Sequence, residues 1–167
     1  MKMKSRLLTV LSALGICACL SQAAMAEFIY RGLLENNGVI DLRQNRFNFA
    51  GGGLSFNKQM AQILAAPQNF NCALVLDTTN PIPNVGNHST ITNFPGFTAT
   101  YDANPPAIPA GHVSVVDVPP VANPAQLFAN TIAQLAHQNP DAFNERFIVG
   151  AHQTDEDCHE KAKQLNQ

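Results

Sequence analysis

Apolar positions along this chain gather into short runs separated by turn-forming residues. The run at residues 71–77, Asn-Cys-Ala-Leu-Val-Leu-Asp, is almost unbroken and is bounded by Pro67-Gln68-Asn69 and by Thr78-Thr79-Asn80-Pro81. Its length and its flanks predict a central strand buried on both faces. Residues 28–34 and 39–42 are two further apolar runs with Asn36-Asn37-Gly38 between them. Asn and Gly tolerate the positive φ of a type I′ turn, so a hairpin is predicted there. Residues 97–101 alternate and read as a half-exposed strand, and residues 112–118 offer Val113, Val115 or Val116, and Val118 to a core before Pro119-Pro120 stops them. Residues 147–150 supply a last short strand, whereas residues 43–50 fit either a strand extension or a loop.

Helical spacing occurs in three places. Phe56, Met60, Ile63 and Leu64 recur at i, i+4, i+7 and i+8, predicting a helix over 56–65 with Ser55 as N-cap and Pro67 as its end. Ala125, Phe128, Ile132 and Leu135 line one face of a helix over 124–138, with Asn123 as cap, Pro124 at the first helical position and Asn139-Pro140 closing it. A final helix is predicted from about Thr154. Between the central strand and residue 95 the chain is rich in Pro, Asn and Gly, which predicts a long irregular loop of the kind that carries function or moves. The order β-β-α-β-(loop)-β-β-α-β-α implies an α/β or α+β domain. Its economical form is a single mixed sheet of about five to six strands covered by two or three helices. Part of it, βαββ followed by αβ, can form a decorated ferredoxin-like sandwich. No repeat at a fixed period is visible.

The N-terminus changes the picture of where the chain works. Lys2, Lys4 and Arg6, an apolar stretch over 7–20 and Ala24-Met25-Ala26 predict a bacterial-type signal peptide over 1–26, leaving one exported domain over 27–167, periplasmic or secreted. An alternative is lipid anchoring through Cys19. No stretch approaches the ~20 apolar residues of a transmembrane helix. Residues 27–167 hold seven basic and twelve acidic residues, a formal charge of −5. Nucleic acid and anionic lipid, which reward clustered Lys and Arg, are therefore not the expected partners. Two cysteines remain after the leader, and an oxidising compartment predicts a Cys72–Cys158 disulfide worth about 4–5 kcal/mol in the chain-entropy treatment.

Candidate chemistry is sparse. The long loop follows the carboxyl end of the central strand, where α/β sheets place ligands. Asp77 at its root, with Asn87, His88 and Ser89 within it, is the expected binding surface. His152, Asp155 and His159 are the candidate metal ligands, the last two at i and i+4 on one helix face. The same segment also reads as an ordinary helix start, Thr154 capping and Asp155, Glu156 and Asp157 facing the positive end of the dipole. Ser55, Ser89 and Ser114 lie in no nucleophile elbow, although Ser89 with His88, Asp77 and distant His112 could assemble a triad-like set. Gly51-Gly52-Gly53-Leu54-Ser55 is neither a Walker A loop nor a dinucleotide fingerprint, and no cofactor is expected. The reading favoured is a small exported binding or accessory domain recognising a protein, peptide or cell-envelope component. The alternative is a small secreted hydrolase or metal-dependent enzyme using His88 and Ser89 or the 152–159 cluster. Oligomeric state is not encoded in any pattern found.

Overall fold

The computed structural model describes residues 26–49 and 52–163. The expected leader lies outside them except for Ala26, as do Cys19 and its alternative acylation and Gly51 of the glycine triplet. The strands are β1 (Phe28–Leu33), β2 (Glu35–Asn36), β3 (Val39–Ile40), β4 (Leu54–Asn57), β5 (Cys72–Asp77), β6 (His88–Thr90), β7 (Phe97–Tyr101), β8 (His112–Asp117) and β9 (Ile148–Gly150). The helices are α1 (Met60–Leu64), α2 (Pro124–Gln138), α3 (Pro140–Phe147) and α4 (Asp155–Lys163). The expected class holds: helices cover one sheet, and a disulfide joins Cys72 to Cys158 with 5.8 Å between their Cα atoms. The sheet has seven strands and not five to six, in the order β6-β7-β8-β4-β1-β5-β9, and it is antiparallel and not mixed, every neighbouring pair running antiparallel, with β2-β3 as a separate two-stranded sheet. Strands β4 and β5 flank β1 and are joined through α1, the split β-α-β step that a ferredoxin-like sandwich would contain. The sheet then continues outward through β8, β7 and β6.

The sheet also curls back on itself. Strand β5 keeps one edge for β1, and its other edge is shared: Cys72, Ala73 and Leu74 pair with β9, while the residues just past its end meet β6. Thr78 bridges Ile91, Thr79 N–H donates to Thr90 O and Thr92 N–H donates to Asp77 O, both at 2.9 Å. Helix α2 closes the apolar side of this curl. Its Phe128 ring meets Phe47, Phe94 and Phe97 at centroid distances of 4.9, 5.2 and 5.2 Å. Ile29, Leu54, Leu74, Leu76, Val113 and Val115 form the sheet's contribution, all fully buried. The central-strand expectation for β5 is met: five of its six residues are buried, and the β1 and β9 pairings occupy both edges.

Four local expectations change. Residues 56–57 are strand, not helix. Leu54 and Phe56 alternate into the core while Ser55 faces out, so the apparent helical spacing of Phe56 with Met60 joins two different elements. Asn57 ends the strand by accepting Gln59 N–H on its side chain at 2.8 Å, and α1 keeps only five residues. The glycine triplet therefore leads into a strand; Gly53 sits at φ +144 with the backbone of Val115 2.9 Å from where a Cβ would stand. The Asn36–Gly38 turn forms as expected, with Asn37 at φ 54 and Gly38 at φ 79. It joins only the two-residue strands β2 and β3, however, because β1 is claimed by β5. Asn139-Pro140 ends α2 and also starts α3, since the Asn139 side chain accepts Ala142 N–H just as Asn123 accepts Gln126 N–H. Finally, the expected irregular loop over 78–95 is present but pinned: residues 79–87 are irregular and mostly exposed, while β6 and fully buried Ile82 and Phe94 tie the segment to the core.

Candidate functional site

The residues singled out in the sequence are placed apart from one another. His88 is exposed on β6, whereas Ser89, the next residue along the strand, is buried. Ser89 Oγ accepts Asn80 N–H at 2.8 Å and donates to Thr90 O at 3.2 Å. Asp77 holds Arg146, Nη2 to Oδ2 3.1 Å, and Asn87 accepts Asn84 N–H on its side chain. Asp77 thus ties β5 to α3, Ser89 and Asn87 bond within the loop around β6, and no side-chain hydrogen bond joins the four among the described residues. His152, Asp155 and His159 diverge as well. His152 Nε2 lies 3.2 Å from Leu64 O, Asp155 accepts Gly150 N–H at 2.6 Å, and His159 Nε2 lies 2.8 Å from Ile148 O. Among the described residues no group of three His, Cys, Asp or Glu side chains could hold a metal ion. The helix-start reading of this segment is seen directly in the Thr154 hydroxyl, which accepts Asp157 N–H at 3.2 Å.

The cavity that does gather chemistry opens between β1 and β4. Although these strands are neighbours, they pair at Tyr30 and Asn57 alone. Beyond that pair Arg31 occupies the seam: Nη1 donates to Ser55 O at 2.7 Å and Nη2 donates to Arg46 O at 3.3 Å. A carbonyl that a straight ladder would give to a strand N–H is given to a guanidinium. On the other face of β1 the Phe70 ring lies over Gly32, so close that a Cβ there would stand 2.1 Å from it. The resulting cavity has a volume of about 360 Å³, lined by Arg31, Leu33, Arg46, Phe47, Phe56, Ile63, Phe70, Asn57, Gln62, Gln68 and His112 among others.

Two polar groups frame it. Asp41 is buried and receives Arg43 through Nε and Nη2 at 2.8 and 2.7 Å, and Arg46 through Nε at 2.6 Å. Arg43 above all, with Arg46, holds the Asp41 carboxyl well below the usual carboxylate range against the opposing effect of burial. Burial alone lowers Arg31 from its ordinary value to about 10, and among the described residues no carboxylate lies within ion-pair distance of it. On β8, His112 Nδ1 lies 2.6 Å from Asp102 Oδ1, and Ser114 Oγ donates to Asp102 Oδ2 at 2.6 Å. This is a histidine oriented by a carboxylate, with the serine bonded to the carboxylate and not to the imidazole. The arrangement can bind an anion beside an apolar surface, and can hold His112 ready to give or take a proton.

Arg31, Arg46 and Asp102 were not among the sequence candidates, and His112 entered only as a distant triad partner. One signal was present. In β1 the alternation Ile29-Arg31-Leu33 puts a charge on the face whose neighbours are apolar. Comparison of the chain with family models, with curated proteins and with solved structures finds no match to any of them.

Proposed function

We propose that residues 27–167 form an exported, periplasmic or secreted, binding or accessory domain that recognises a protein, peptide or cell-envelope component. The observation that carries this reading is the β1–β4 cavity, an opening of about 360 Å³ between neighbouring strands with a half-buried guanidinium set beside apolar walls. Concave, mostly apolar sites with a few fixed polar groups are what ligand recognition uses. The Cys72–Cys158 bond supports an oxidising compartment. Among the described helices none is long and apolar enough to cross a membrane. The test is to incubate the purified protein with envelope extract of its host and look for a stoichiometric complex by native mass spectrometry. A complex formed by the native protein and lost on Arg31→Met supports the reading, and a complex indifferent to Arg31 removes the cavity from it.

A second reading, a small secreted hydrolase or other acid–base enzyme, is favoured by His112 on the cavity wall, held from behind by Asp102. It predicts an activity against a small substrate that falls by at least about 100-fold in His112→Ala. Turnover unaffected by that change would sink it.

A further inference from the structure

We propose that the β1–β4 cavity takes the carboxylate of an apolar ligand, specifically the free C-terminus of a peptide ending in an apolar residue, with Arg31 as its anchor. The proposal deepens the binding-domain reading and rests on it. The charge argument comes first. Arg31 is half-buried, and an arginine partly withdrawn from water favours a carboxylate partner, because an unmatched charge away from solvent is costly. Arg31 has two neutral carbonyl partners, those of Ser55 and Arg46, out of five N–H donors on a guanidinium. Asp41, the acidic side chain that shares the cavity, is already committed to Arg43 and Arg46. A chain with an excess of acid has thus lined this opening with two of its four arginines beyond residue 26, Arg31 and Arg46, against one acidic side chain, Asp41.

Geometry then favours a carboxylate over a more highly charged anion. The carbonyls of Ser55 and Arg46 fix the plane of the guanidinium, so its remaining donors are presented as a preset fork, the arrangement that suits a planar two-oxygen acceptor. A phosphate dianion wants donors all round it, and much of the wall here is apolar instead: Leu33, Phe47, Phe56, Ile63 and Phe70. Gln62 and Gln68 complete the set, with amides uncommitted among the described residues and suited to the last peptide unit of a chain. A volume of about 360 Å³ accommodates a terminal carboxylate with one large side chain.

The experiment titrates the purified protein by calorimetry with acetyl-Ala-Ala-Phe, its C-terminal amide, N-acetyl-phenylalanine and inorganic phosphate. The expected result is that the free tripeptide binds about 10- to 100-fold more tightly than its amide, as loss of a charge-assisted fork predicts. Arg31→Met should lose a similar factor, Arg31→Lys should fall between, N-acetyl-phenylalanine should bind more weakly than the tripeptide, and phosphate should not compete. Acid and amide binding alike in the native protein would overturn the proposal, and so would phosphate displacing the peptide. N-acetyl-phenylalanine matching the tripeptide would overturn the peptide terminus in favour of a free apolar acid. The acid–amide comparison needs no variant, so it holds even if Arg31→Met folds poorly. An envelope complex that survives while acid and amide bind alike would defeat this site and leave the binding-domain reading in place. Failure of both would defeat the two together.

Discussion

Strand β1 has two neighbours and treats them differently. Against β5 it pairs along its whole length, from Phe28 with Asp77 to Leu33 with Cys72. Against β4 it pairs at Tyr30 with Asn57 and nowhere else. The first edge is held by an apolar strand buried on both faces, backed by β9 and stapled by the disulfide from Cys72 to Cys158 in α4. The second edge carries a guanidinium where a ladder bond would run, and the Phe70 ring covers Gly32 from the sheet face beside it. Two edges of one strand therefore show how a sheet can be locked and opened at the same level. The locked edge supplies the cohesion that lets the other part widen into a cavity, with half-buried Arg31 set in that opening.

The largest test of this contrast removes the staple. Cys72→Ser with Cys158→Ser deletes a link across a sequence separation of 86 residues, and the loop-closure treatment gives a loss of about 4–5 kcal/mol. Reversible denaturation of the native and double-serine proteins measures it. The β5–β9–α4 side should lose amide protection first, because the bond joins those elements. A loss below about 1 kcal/mol would show that the locked edge owes its stability to apolar packing alone.

The next test acts at the open edge through Asp41, whose buried carboxylate fixes Arg46, and through Arg46 O the guanidinium of Arg31. Asp41→Asn should cost about 2–3 kcal/mol at neutral pH, the scale of hydrogen bonds to a charged group left with an unmatched partner. The pH dependence has a definite sign. Asp41 is held below its unfolded value of about 3.9, so the stability it contributes is complete above roughly pH 5 and is lost as pH falls through that value towards the folded one. The native protein should therefore lose more stability between pH 5 and pH 2 than the asparagine variant does. Equal slopes would mean that Asp41 is not the group linking acid to this edge.

The locked edge was legible in the sequence and the open one was not, for a physical reason. An apolar run between turn formers describes β5 completely, and a capped, amphipathic stretch describes α2, because in both cases the signal is local. The cysteine pair added one long-range constraint, and it was the right one. The opening depends on which residues of β1 and β4 fail to pair, and that is settled by Arg31, Ser55, Arg46, Gly32 and Phe70, which are scattered over some forty positions of the chain. In contrast, the segment from His152 to His159 concentrates ligand-type residues in sequence, but helix geometry and three backbone partners send them in different directions. Density of reactive residues along a chain and convergence in space are separate properties, and β-strand alternation around Arg31 was the better guide here.

The smallest effect, and the one that most directly probes why the two edges differ, comes from Gly32. Its backbone pairs with Ala73 on the locked side, while the Phe70 ring covers its Cα from the sheet face and lines the cavity. Gly32→Ala places a methyl group inside the space of that ring, 2.1 Å from its nearest carbon. Phe70 must then move, because the clash falls at the base of a rigid ring and not at the tip of a flexible chain. Overpacking of this kind costs about 1–2 kcal/mol. The cost should fall unevenly: hydrogen exchange should leave the β5 amides as protected as before, while the packing of Phe70 and Ile63 around the cavity loosens. The same change should weaken acetyl-Ala-Ala-Phe binding, since Phe70 is part of the wall that the terminal side chain would meet. If exchange instead accelerates along β5, the two edges of β1 are mechanically coupled, and the separation between a locked half and an open half does not hold.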